Sequence, residues 1–152
     1  MRLANKALLG ILVLLAFGCD RNGPPVQFIL PENFRGIFQI SVDKETGNEP
    51  GQTNGTLMII VPTNGCVLVK DDGFLKRWHK ETAIYPSGVK FSGEVYDTNA
   101  LSLRSLLSDN GHTSWILIGT EEEFRIAISL TGQKLPLGRQ LTTNDVPVYG
   151  NK

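Results

Sequence analysis

The stretch Gly55-Thr56-Leu57-Met58-Ile59-Ile60-Val61-Pro62-Thr63-Asn64-Gly65-Cys66-Val67-Leu68-Val69-Lys70 decides the fold class. Two β-branched apolar runs, each too short for a stable helix, flank a break where Pro fixes one backbone angle and Gly admits a left-handed one. The pattern reads as a β-hairpin. Its near-continuous hydrophobicity predicts a strand pair covered on both faces, or central in a small sandwich. Cys66, set among Val and Leu, reads as a small apolar core residue.

Outward from this stretch the strand signals continue. Val26-Gln27-Phe28-Ile29-Leu30 and Gly36-Ile37-Phe38-Gln39-Ile40-Ser41-Val42 are strand runs, with Phe38, Ile40 and Val42 on one face and Pro31 and Gly36 as punctuation. Asp43 to Asn54 carries charges, Gly and Pro without apolar pattern and reads as a long surface loop. Short strands are expected around Ala83 to Tyr85 and Val89 to Phe91. Leu101 to Leu107 alternates at first and is compatible with a strand or a short helix, and Ser114 to Gly119 reads as a buried strand. At Thr120 to Leu130 two signals compete. Thr120 with Glu123 forms a capping box and Glu121, Glu122 and Glu123 suit the positive end of a helix, whereas Phe124, Ile126, Ile128 and Leu130 alternate like a strand. Helix is favoured, because three consecutive glutamates make a poor strand. The tail after Gly132 has little pattern. The expected architecture is mainly β: a small two-sheet β-sandwich with one short helix near the C-terminal end.

The 152 residues include 15 basic and 15 acidic groups, 41% apolar and 20% charged residues, which suits one domain. Arg2 and Lys6 precede an unbroken apolar run of 11 residues, Ala7 to Phe17, far shorter than a membrane-spanning helix needs. Residues 1–18 therefore read as a cleaved export signal. Removing them leaves 13 basic against 15 acidic groups, a net charge of −2, which argues against nucleic acid as a partner. Residues 19–25, rich in Pro and Gly, read as a short tether, and residues 26–152 as a single mainly-β domain with an irregular tail.

The sequence Leu15-Ala16-Phe17-Gly18-Cys19 resembles the lipobox of bacterial lipoproteins, although Ala16 stands where that family most often carries Leu. The resemblance implies diacylglycerol transfer to the Cys19 thiol, cleavage between Gly18 and Cys19, and acylation of the new amino group with a fatty acid such as palmitate. It places the mature protein in the bacterial cell envelope, membrane-anchored and facing the extracytoplasmic side. Two or three acyl chains suffice for durable attachment. A second resemblance covers most of residues 26–130. Phe28 to Ile40, the Val61 to Gly65 turn and the strand from Trp115 into Gly119-Thr120-Glu121 are similar to small extracytoplasmic β domains of environmental bacteria. It implies a mainly-β fold and supplies no active site.

Chemistry is sparsely marked. His79 and His112 lack partners at helical spacing and no paired-cysteine motif occurs, so neither a metal nor a cofactor is expected. No serine lies in a Gly-x-Ser-x-Gly elbow, which leaves an envelope hydrolase using His79 or His112 as the catalytic alternative. Asn54-Gly55-Thr56 matches a glycosylation acceptor, which the bacterial lipobox makes irrelevant. Lys76-Arg77-Trp78-His79-Lys80 is the local cluster with recognition character, joining basic groups to an aromatic ring. The expected function is a non-catalytic binding or accessory module, touching the membrane through its lipid and an envelope protein or glycan through a sandwich edge or the Trp78 loop. A self-associating structural component of the envelope is the other alternative.

Overall fold

Every second side chain along Val26–Ile29 is buried, as a strand with one face on a core requires. This first strand, β1, is followed by β2 (Gly36–Val42), β3 (Gly51–Thr53), β4 (Thr56–Ile60), β5 (Cys66–Val69), β6 (Glu81–Ile84), β7 (Lys90–Ser92), β8 (Ser102–Asp109), β9 (Thr113–Gly119) and helix α1 (Glu121–Ser129). The structure, a computed structural model, describes residues 22–93, 97–109, 113–130 and 133–146. The strands form two sheets, a five-stranded one in the order β3-β4-β1-β6-β7 and a four-stranded one in the order β5-β2-β9-β8. Both are mixed. β1 lies parallel to β4 and β6, β2 lies parallel to β5, and the remaining pairings are antiparallel. The fold is thus the mainly-β, two-sheet sandwich with one helix near its C-terminal end that the sequence suggests.

The core between the sheets takes Val26, Phe28, Ile59, Ala83 and Phe91 from the first sheet and Phe38, Ile40, Val67, Val69, Leu103, Ile116 and Ile118 from the second. Phe28 packs edge-on to Phe38 with ring centroids 5.1 Å apart. Burying each such side chain stabilises the fold by about 2 kcal/mol. A second apolar cluster covers the outer face of the four-stranded sheet, where Ile37 and Leu117 meet Ile126, Ala127, Leu130 and Leu141. Because β2 and β9 are covered on both faces, their sequences run apolar without strict alternation.

The Pro62 to Gly65 turn departs from the expectation. It does not close a hairpin: β4 belongs to the five-stranded sheet and β5 to the other, so the turn carries the chain across the sandwich. Each run is long enough to span one sheet, and each finds a parallel partner in β1 or β2. The hairpin lies just upstream, in the segment expected to be loop, where β3 pairs with β4 about Asn54-Gly55. Both turn residues have positive φ, 50° and 78°, the combination a two-residue hairpin of right-handed twist demands. Residues 102–109 form a strand, which resolves the ambiguity there. Thr120 caps α1 as expected, with its side chain and that of Glu123 bonding reciprocally to backbone N–H groups. The tail is irregular but fixed. Leu137 bridges to Ile37, the Gly138 N–H donates to the Ile37 carbonyl at 2.9 Å, and Leu141 is buried.

Candidate functional site

Two surfaces stand out, and the first is the loop between β5 and β6. It begins with Asp71, whose carboxylate accepts the Gly73 N–H at 3.1 Å, and Asp72, whose largely buried carboxylate holds Lys76 Nζ at 2.9 Å. That hydrogen bond to Asp72 raises the Lys76 pKa above the ordinary lysine value. His79 also faces inward. Its Nδ1 lies 2.6 Å from the Arg77 carbonyl oxygen and its Nε2 lies 2.9 Å from Glu81 Oε1, while Ser105 Oγ donates to Glu81 Oε2 at 2.8 Å. The carboxylate therefore sits between serine and histidine. A Ser-His-acid relay needs the ring in the middle, so His79 is not placed to activate Ser105.

With His79 turned inside the loop and Lys76, itself exposed, tied to Asp72, the groups Arg77, Trp78 and Lys80 are exposed as well, Trp78 at 74%. The Trp78 backbone is nevertheless fixed. Its carbonyl accepts the Gly23 N–H at 2.8 Å, Trp78 bridges Asn22, and the Lys80 carbonyl accepts the Val26 N–H at 2.9 Å. All five residues of the expected binding loop thus sit beside the start of the domain, His79 turned inward and the other four outward. Gly18, Cys19 and His112 lie outside the described residues.

The second surface is a cleft of about 520 Å³ on one side of the sandwich, between the β3-β4 edge of one sheet and the β5 edge of the other. Met58, Ile59, Ile60, Val67, Leu68 and Val69 provide its apolar walls, and Asn48 and Glu49 provide a polar end. Ile60 is 76% exposed, and Leu68 is exposed as well. Lys70 Nζ lies 3.6 Å from Glu49 Oε1, adding a cation to the polar end. Cys66 also lines the cleft, exposed and as a free thiol, which corrects its expected place in the core. The cause is strand parity. Val67 and Val69 point into the sandwich, so Cys66 and Leu68 point out.

Nothing in the linear sequence marked this cleft. Its walls come from strands of different sheets, and a reading that paired β4 with β5 would close the space where it opens. Among the described residues there is no group of three or more His, Cys, Asp or Glu side chains able to hold a metal, and no helix long and apolar enough to cross a membrane.

The fold and its side cleft define a class: a small mixed-sheet β-sandwich carrying an apolar cleft at its edge. No family model matches the sequence, and no curated protein is similar to it at a significant level. One solved structure, described as a "Putative Lipoprotein from Bacillus anthracis", aligns with 81% of this chain and 87% of its own at 10% identity and a TM-score of 0.42. A likeness of that degree says nothing about what this chain does.

Proposed function

We propose that this chain is a lipid-anchored accessory protein of the bacterial cell envelope, which binds an amphipathic ligand non-covalently in its side cleft. The observation that carries the binding reading is the cleft itself. Its volume lies in the range of small-molecule sites, its walls are largely apolar, and its polar side chains Asn48 and Glu49 lie beside Val69 and Lys70 at the end of β5. Such a division suits a ligand with an elongated apolar body and a polar head, the head meeting Asn48, Glu49 and Lys70. The anchor reading rests on the resemblance of residues 15–19 to a lipobox and on the short distance in sequence from Cys19 to the folded domain. A lipid at Cys19 confines the cleft to a membrane surface and raises its local concentration for envelope ligands.

Two variants of the full-length protein test the two halves. Cys19→Ala is expected to move the protein from the membrane fraction to the soluble extracytoplasmic fraction, and unchanged membrane retention would remove the anchor. For the cleft the probe is cis-parinaric acid, a fluorescent fatty acid. The intact protein is expected to bind it saturably, and Leu68→Asp to weaken binding about tenfold or more by placing a charge on an apolar wall. Leu68 is exposed, so its replacement leaves the core in place. Absence of saturable binding, or equal binding by the variant, would overturn the cleft as the ligand site.

A further inference from the structure

We infer that the Trp78 loop is a membrane-docking surface, which seats the domain on the phospholipid bilayer in one orientation. The inference rests on the lipid anchor proposed above and adds which face of the domain meets the lipid. Three observations carry it. The first is chain length. Asn22 bridges Trp78, and Cys19 stands only three residues earlier, so an extended chain separates the lipidated residue from the loop by at most about 10 Å. The headgroup layer of one leaflet is about 5–8 Å thick, so a tether this short holds the loop within reach of the bilayer surface whenever the anchor is inserted.

The second observation is the chemistry of the outward groups. An exposed Trp between Arg77 and Lys80 matches the interfacial zone, where an indole ring sits at headgroup level and cations face anionic phosphates. The third is how the loop sorts its charges. Asp72 and Glu81 are largely shielded and paired with Lys76 and His79, so two of the acidic groups that would oppose an anionic surface are already engaged. Asp71 is the exposed carboxylate of the loop, held by the Gly73 N–H. The backbone hydrogen bonds from Gly23 and Val26 fix the loop against the first strand, so the ring is presented without further ordering.

The orientation follows from the topology. β1, β4 and β6 are parallel and begin at the end of the sandwich where Trp78 sits. With that end down, these strands rise away from the membrane and the cleft between the sheet edges opens sideways, along the bilayer surface.

The test uses the full-length lipidated protein in vesicles of phosphatidylethanolamine and phosphatidylglycerol, with a phosphatidylcholine brominated on its acyl chains as quencher. Flotation with the vesicles reads the anchor, and tryptophan emission reads the docking. The expected result is a blue shift and a quenched component that disappear together in Trp78→Phe, leaving the Trp115 signal. Each of Arg77→Gln and Lys80→Gln should lower the ratio of docked to undocked domain about fivefold, as loss of one basic group near an anionic surface predicts. A protein that floats while its quenching is the same in Trp78→Phe overturns the docking and leaves the anchor standing. A protein that does not float, with Cys19 unmodified by mass spectrometry, overturns the anchor and the docking with it.

Discussion

Tyr85 closes the end of the sandwich where β1 and β6 finish. Its hydroxyl donates to the Phe34 carbonyl, its ring lies 4.8 Å from that of Phe91, and the residue is buried. Burial first, and then the Glu32 charge, pushes the phenol pKa above its ordinary value of 10.0, with Arg35 opposing. In the unfolded chain the phenol ionises near its ordinary value, whereas in the folded protein it keeps its proton to higher pH. Its contribution to stability is therefore intact below about pH 10 and is lost as pH rises through the raised value. Tyr85→Phe is expected to destabilise the protein by about 1 kcal/mol at neutral pH, because the buried Phe34 carbonyl loses its donor. The same variant should show a shallower fall in melting temperature as pH rises above about 10, measurable by circular dichroism. Little of this was legible beforehand. The strand periodicity predicted a buried face near Tyr85, but the Phe34 partner depends on a turn in which Asn33 takes a φ of 60°. Glu123 shows the opposite case. Its place in the capping box could be read from spacing alone, while its three hydrogen bonds with Arg35, 88 residues away, could not. That pair ties the β1-β2 connection to α1. It also shows why a charged residue can be almost fully buried, since every carboxylate oxygen is paired.

At the scale of elements, local chemistry was readable and partnership was not. α1 formed where capping and alternation disagreed, because a helix with Ile126, Ala127 and Leu130 inward buries one continuous face against β9, whereas the alternating Ile128 is left exposed. Asn54-Gly55 carries a strong hairpin signal, but Gly51, Gln52 and Thr53 are all exposed, so no apolar alternation drew attention to β3. Conversely the Pro62 to Gly65 turn has the residues of a hairpin, yet proximity in sequence does not specify pairing, and β4 and β5 lie in different sheets. Strand runs joined by a tight turn can equally sit in facing sheets, and only the remaining strands decide which. Gly36 opens β2 with a φ of 120°, and a Cβ there would lie 1.8 Å from the Arg139 carbonyl oxygen. Gly36→Ala must therefore displace the tail that covers the outer apolar cluster. The expected loss is about 3 kcal/mol in urea denaturation, against about 1 kcal/mol for Gly55→Ala, where the added methyl meets open space and only the backbone is strained.

For the whole molecule, the architecture came from counting apolar runs, and the proposed function came from what the runs leave uncovered. The Lys76 to Lys80 cluster was visible in sequence. What the fold adds is its division into inward and outward groups and its place beside Asn22. The cleft needed three dimensions, and so did the exposure of Cys66 within it. The topology of the five-stranded sheet has a consequence for how the protein is made. β1 leaves the ribosome first yet occupies the centre of its sheet, and its two neighbours begin only at Thr56 and Glu81. Leu137 and Leu141, which cover Ile37 and Leu117, arrive later still. The growing chain therefore offers β1 its first native partner only when Thr56–Ile60 has been made, and its second only when Glu81–Ile84 has, past the middle of the 152 residues. Long-range parallel pairing of this kind forms slowly, so the five-stranded sheet closes late, after the chain that must fill its centre has long been made.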